Sequence, residues 1–223
     1  MFVSNFMSSP VRTVTPATLL PAAREIMTAG SCRHLPVVDE RNMLLGIITD
    51  RDLRSSLPSL LLTEAEREEY LQRFATLPVG RIMTAIVTKL SLKATLDDAL
   101  ILFEERKVGA LPVVNEANQL MGILAVNDLL KAYKQLFGLG VRGSSLLVVR
   151  DDGQPRVLTR LTELLETKQV PFTRLIRTGG PGQNSEENLI YVRVHTYNLR
   201  GIHQALAAAG FETVIPAAIN LAS

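Results

Sequence analysis

A single cysteine, Cys32, occurs in the 223 residues, so no internal disulfide can form and the chain suits a reducing compartment. Charge is nearly balanced, with 24 Lys and Arg against 22 Asp and Glu for a net +2. No Lys/Arg run gathers that excess into a stripe, so nucleic acid is not an expected partner. No apolar run reaches the roughly 18 residues of a membrane helix, and no membrane partner is expected. The start, Met1-Phe2-Val3-Ser4-Asn5, lacks the basic head of a signal peptide, and a cytoplasmic location is the expectation. What is present is globular in kind: 47% apolar and 21% charged residues. The length suits a compact domain of about 140 residues plus a smaller one.

The organising stretch is Cys32 to Leu53. Cys32-Arg33-His34-Leu35-Pro36-Val37-Val38-Asp39, a polar turn through Asn42, then Leu44-Leu45-Gly46-Ile47-Ile48-Thr49-Asp50-Arg51-Asp52-Leu53 read as strand, turn, strand and helix start. Thr49 or Asp50 can cap that helix, whose free N–H groups favour an anion, and Arg51 adds positive charge beside them. The pattern returns as Val108-Gly109-Ala110-Leu111-Pro112-Val113-Val114-Asn115 and Leu120-Met121-Gly122-Ile123-Leu124-Ala125-Val126-Asn127-Asp128-Leu129. Leu35 maps to Leu111, Gly46 to Gly122 and Asp52 to Asp128, all 76 residues apart. Met7 aligns with Met83, and a one-residue slip brings Ala17-Thr18-Leu19 onto Ala94-Thr95-Leu96. Such a duplication predicts two similar units about a pseudo-twofold axis, since neither alone buries much core.

Two copies of a short strand, an amphipathic helix, a Leu-Pro-Val-Val strand, a Gly-Ile strand and a helix start ending in Asp resemble a pair of CBS domains, over about residues 1 to 135. The order of the repeats and the tail further resembles the AcuB-like family associated with acetoin utilisation. The resemblance implies an α/β (α+β) fold: two CBS repeats forming one pseudo-twofold module, then a C-terminal βαββαβ ferredoxin-like, ACT-like domain. The expected boundaries are 1–75 for repeat one with a connecting helix, 76–137 for repeat two, 138–143 for a linker and 144–223 for the ACT-like domain.

Along the chain, residues 17 to 29 form an amphipathic helix stopped by Gly30, and residues 60 to 74 form the connecting helix, whose run Glu64, Glu66, Glu68 and Glu69 reads as a solvated face. Asp97-Asp98 open a helix through Phe103, a helix over 129–137 closes the module, and Gly138, Gly140 and Gly143 mark a junction. From Ser144 the expected elements are a strand to Arg150, a helix over 156–168, strands over 172–178 and 189–196, a helix over 199–209 and a strand over 211–215. That order gives an antiparallel sheet with both helices on one face. Gly179-Gly180-Pro181-Gly182 reads as a hairpin loop. The ACT ligand turn, Asp-x-Pro-Gly-x-Leu, appears here as Gly153-Gln154-Pro155-Arg156-Val157-Leu158, with Arg156 replacing the glycine. This favours a dimerising or relay role for the tail over amino-acid binding.

For the site, the resemblance implies an adenosine-containing small molecule in the cleft between repeats, with an adenine nucleotide the expected ligand and no cofactor required. A carboxylate belongs at a ribose and not beside polyphosphate, which would place Asp52 against the two hydroxyls, with Thr49 offering its own to the ribose or the α-phosphate. Arg33 and His34 fall near the phosphate end. Repeat two has Gly109, Ala110 and Ala125 at the corresponding positions, and Asp128 alone remains of the polar set. One competent site dominated by Thr49 and Asp52 is therefore expected, with a vestigial second cleft. By resemblance, Thr13 and Thr88 near the starts of the first strands contact base or ribose. The same residue types also serve as plain helix caps and surface charge. The functional expectation is a non-catalytic regulatory module, homodimeric and signalling to an unidentified target protein. A vestigial interaction protein and a nucleotide-processing enzyme using Asp52 and His34 are the alternatives; neither a metal ligand set nor an oriented base for Cys32 and His34 is evident in the sequence.

Overall fold

The computed structural model describes residues 1–57, 63–179 and 188–214, and the mixed α+β chain divides into two compact units, Met1–Ala132 and Tyr133–Ser223. In the first unit, α1 (Leu20–Gly30), β1 (His34–Val38), β2 (Leu44–Thr49) and α2 (Asp50–Ser55) form one repeat. Helix α3 (Glu64–Thr76) connects it to β3 (Leu90–Ser91), α4 (Leu96–Arg106), β4 (Ala110–Val114), β5 (Leu120–Ala125) and α5 (Val126–Leu136). Apolar spacing places the first helix of each copy: Leu20, Ala23 and Met27 are buried on α1, and Leu96, Ala99 and Phe103 on α4. Proline opens α1 and left-handed Ser31 closes it, while a Thr95–Asp98 capping box opens α4. The two Leu-Pro-Val-Val strands are buried from Leu35 to Val38 and from Ala110 to Val114, which is why their sequences are unbroken apolar runs.

The copies exchange their leading segments. Ser8 and Ile123 bond reciprocally through their backbones at 2.9 and 3.1 Å, and Thr84 and Ile47 do the same at 2.9 and 3.0 Å. Met7 lies over Gly122 and Met83 over Gly46, so each glycine is the floor for a methionine from the other copy. At the axis, left-handed Asn42 and Asn118 donate their side-chain amides to Leu120 O and Leu44 O, at 2.8 and 3.1 Å. Val38, Leu44, Val114 and Leu120 form the small core shared there.

These pairings correct the slip expected upstream. Val14 bridges Val37 as Leu90 pairs with Val113, and Leu20 N bonds Leu77 O as Leu96 N bonds Met1 O. One offset of 76 therefore holds throughout: Leu19 occupies the N-cap place of Thr95, Thr13 corresponds to Lys89, and Thr88 to Arg12. The Thr-Leu match that suggested the slip aligned a cap with an uncapped helix start. The first strand of repeat one is reduced to the single Val14 bridge. Helix α3 begins at Glu64, behind a Thr63–Glu66 capping box, and its acidic run is exposed. Residues 60–62 of the expected connecting helix lie outside the described residues.

The second unit runs β6 (Ser144–Arg150), α6 (Val157–Thr167), β7 (Phe172–Arg177), β8 (Leu189–His195), α7 (Leu199–Ala208) and β9 (Thr213–Val214). The sheet order β7-β8-β6-β9 is antiparallel throughout, the ferredoxin-like arrangement of a βαββαβ chain. Leu147, Val149, Ile190, Val192 and Val194 face Val157, Leu161, Leu165, Ile202 and Leu206 of the two helices. Residues 180–187, including most of the expected glycine-rich loop, and Ile215 of the expected last strand lie outside the described residues.

Candidate functional site

A cavity of about 640 Å³ opens in the first unit, within the roughly 300–1,000 Å³ of small-molecule sites. Three segments wall it. Ser8, Pro10, Val11 and Arg12 come from the exchanged leading segment, Gly30 to His34 from the turn joining α1 to β1, and Gly109, Ala110, Ile123, Ala125 to Asp128 and Lys131 from the second repeat. Its charged groups are Arg12, Arg33 and Lys131 against Asp128, a surplus of two positive charges before His34 is counted.

Each polar group has a local reason for its place. The stem of Arg12 lies across Gly30, where a β-carbon would stand 2.8 Å from Arg12 Cδ; the guanidinium thus rests near the carbonyl end of α1, which favours a cation. The His34 ring occupies the room a side chain at 109 would need, with Nε2 2.8 Å from the position of a Gly109 β-carbon. Burial holds the His34 pKa below its ordinary 6.5, Arg33 pushes it the same way, and Asp52 and Asp50 oppose both. The imidazole is therefore neutral near pH 7. Asp128 stands at the start of α5 with its side chain 19% exposed, accepting the Ala125 N–H at 3.2 Å and lying 3.5 Å from Lys131 Nζ. Because Ala125 has no hydroxyl, most of the acceptor capacity of Asp128 is left for other donors.

The equivalent carboxylate in repeat one is committed differently. Asp52 Oδ2 accepts both the Thr49 N–H at 2.8 Å and the Thr49 hydroxyl at 2.7 Å, and Thr49 Oγ accepts Asp52 N–H at 3.3 Å, a complete capping box. The structure thus gathers Arg33, His34 and Asp128 around the cavity; Thr49, Arg51, Asp52, Thr13 and Thr88 are not among its lining residues. By the 76-residue offset, Thr49, Arg51, Asp52 and Thr88 occupy the pseudo-equivalent side, where Thr88 stands for Arg12 and Ser55 for Lys131. Sequence reasoning missed Arg12 and Lys131. Arg12 was hidden by the slip that brought Thr13 beside Thr88, whereas Lys131 was visible as a cation one helical turn after Asp128. Among the described residues there is no cluster of three or more His, Cys, Asp or Glu able to hold a metal, and no helix long and apolar enough to cross a membrane.

Comparison with known proteins places these features in a family. The CBS domain model matches residues 3–59 and 79–135. A CBS domain-containing protein of Dictyostelium discoideum is 34% identical over 130 residues, covering 58% of this chain and 89% of that one. The crystal structure of CBSX2 in complex with AMP is 28% identical with a TM-score of 0.51, covering 60% of this chain and 97% of that one. The crystal structure of a putative acetoin utilization protein (AcuB) from Vibrio cholerae is 28% identical with a TM-score of 0.53, covering 62% and 94%. Longer enzymes match only in part: the chain covers 24% of the inosine-5'-monophosphate dehydrogenase of Aquifex aeolicus.

Proposed function

The chain belongs to the CBS domain family, and from that premise we propose that its first unit is a regulatory sensor holding an adenosine-containing ligand in the cavity between the repeats. The observation that carries this reading is the charge pattern of the cavity: three cations for an anionic end and one under-used carboxylate, Asp128, for a ribose. In this placement Arg12, Arg33 and Lys131 meet the phosphate, and His34 lies beside them. The AMP complex of CBSX2 supports the ligand class. Thr49 and Asp52, with Arg51 and Thr88, form the second candidate position; there the Thr49 hydroxyl must leave Asp52 before it can serve a ligand.

The test is calorimetric titration of AMP, ADP, ATP and S-adenosylmethionine into the wild type, Asp128→Ala and Asp52→Ala, with a 2′-deoxynucleotide as ribose control. Saturable binding weakened by about ten- to a hundredfold in Asp128→Ala, the worth of a hydrogen bond to a charged group, is the expected result. Loss in Asp52→Ala alone would move the ligand to the Thr49 side. No saturable heat with any of the four would overturn the sensor reading in favour of an interaction protein.

The proposal extends to assembly and context. The ferredoxin-like unit serves as an ACT-like dimerising or relay domain, the protein works as a cytoplasmic homodimer acting on a target protein, and no catalytic step or nucleic-acid partner is involved. The likeness to the Vibrio cholerae protein makes acetoin utilisation the first pathway in which to seek that target. Sedimentation of the full chain with and without AMP checks the assembly, a dimer being the expected species.

A further inference from the structure

We propose that the second unit carries an oxyanion site of its own, built from Arg174, Arg193 and Ser144. The two arginines are direct register partners on the neighbouring antiparallel strands β7 and β8. Like charges placed opposite each other on one sheet face repel, and no carboxylate forms an ion pair with either among the described residues. Arg193 is also partly buried, which compounds the cost of holding two guanidiniums together. Beside them the Ser144 hydroxyl is buried with no hydrogen-bond partner among the described residues. A buried, unpaired hydroxyl next to paired cations is costly as it stands, and a ligand oxygen would relieve both costs at once.

Ser144 and Arg174 bring polar atoms to one point, and the stem of Arg193 passes beside it. Where a β-carbon at Gly138 would stand, Ser144 Oγ is 3.2 Å away, Arg174 Nη1 3.5 Å and Arg193 Cγ 3.6 Å. Gly138 has φ +59°, so glycine fits the left-handed turn, and a side chain there would crowd the Ser144 hydroxyl. Arg174 is positioned from the opposite side: its Nη2 donates to Gln135 O at 3.2 Å and its guanidinium lies 5.7 Å from the centre of the Phe137 ring. That fixes one planar donor set, and the guanidinium of Arg193, its cross-strand partner, is assigned as the second. Two guanidiniums and a hydroxyl suit a small oxyanion, either a phosphate or a carboxylate, and all of the residues belong to the second unit.

The experiment is an NMR titration of the full chain with inorganic phosphate, and separately with malonate, at constant ionic strength. It follows the Arg193 Nε–H and the Ser144 amide, in wild type and in Arg193→Gln and Ser144→Ala. Saturable shifts are expected, with affinity reduced about tenfold or more in Arg193→Gln, less in Ser144→Ala, and unchanged in Arg33→Gln, which alters only the other cavity. The tighter of the two anions identifies the ligand source. Core methyl signals of Leu147 and Val192 report that the variants remain folded. Shifts that match an equal concentration of chloride, or saturation that survives Arg193→Gln, would overturn the site.

Discussion

His34 stands between opposed charges, with Arg33 on one side and Asp50 and Asp52 on the other, in a half-buried place that favours its neutral form. Because its folded pKa lies below 6.5, the unfolded chain takes up the proton first as pH falls. The stability contributed by the neutral ring is complete above about pH 6.5 and is lost as pH drops through the folded value. A bound phosphate changes the sign of the environment, raising the His34 pKa and drawing a proton in with the ligand. Affinity for AMP is therefore expected to strengthen as pH is lowered from about 7.5 to 6, with net proton uptake seen as a dependence of the binding heat on buffer ionisation enthalpy. His34→Gln should flatten that dependence; an unchanged profile would place the phosphate elsewhere. The same ring explains a glycine: Gly109→Ala puts a methyl 2.8 Å from His34 Nε2, and the expected result is a displaced imidazole and weaker AMP binding with the fold retained. Asp128 teaches a related point. A threonine three residues before the carboxylate looked like a stronger site than an alanine, yet the hydroxyl satisfies the carboxylate internally, so the poorer sequence leaves the freer acceptor.

Elements were legible where periodicity or capping speaks locally. The repeated strands, the α1 and α4 stripes and the βαββαβ order all follow from apolar spacing and turn residues, and the shared offset of Leu35, Gly46 and Asp52 with their partners is preserved in the pairing. The upstream slip was not legible, because it depends on which backbone groups meet across the axis and not on residue likeness. Nor was the exchange of leading segments, although its trace is in the sequence: a methionine at 7 and 83 for a glycine at 122 and 46. Gly46→Ala brings a β-carbon within 2.7 Å of Met83 Sδ and 2.9 Å of Thr84 O, the second being backbone that has little room to yield. A loss of about 1–3 kcal/mol in urea unfolding is expected from such overpacking. In the second unit Arg156 is the N-cap of α6 with φ +58° and an exposed side chain. A glycine there would remove about 1–2 kcal/mol of left-handed strain, against roughly 0.5–1 kcal/mol of extra chain entropy. Arg156→Gly should therefore leave the second unit equally stable or more stable by about 1 kcal/mol. A clear loss would mean that the Arg156–Glu163 contact, 3.9 Å apart, matters more than the backbone.

At the scale of the molecule, the duplication makes two pseudo-equivalent positions that the residues have driven apart in how far the carboxylate is already committed. Both hold a surplus of two cations, Arg12, Arg33 and Lys131 against Asp128 at one and, by the offset, Arg33, Arg51, Arg106 and Lys107 against Asp50 and Asp52 at the other. The difference is that Asp52 is closed on Thr49 whereas Asp128 keeps most of its acceptor capacity. A symmetric fold with one free and one committed carboxylate predicts unequal affinities, so titration should show one site per chain before any second event. The two compact units supply an independent check, because a ligand stabilises what it binds when folded and leaves the remainder alone. At about 100 times its dissociation constant a ligand adds about 2.7 kcal/mol to the unit that holds it. For a unit of this size that raises the midpoint on the order of 10 °C. Scanning calorimetry of the full chain is thus expected to show AMP moving the transition of the first unit upward while that of the second stays in place. Asp128→Ala should shrink the shift at fixed AMP by the factor that its weaker affinity dictates. If AMP moved only the second transition, the nucleotide would belong to the ferredoxin-like unit, and the charge pattern between the repeats would have to be explained without it.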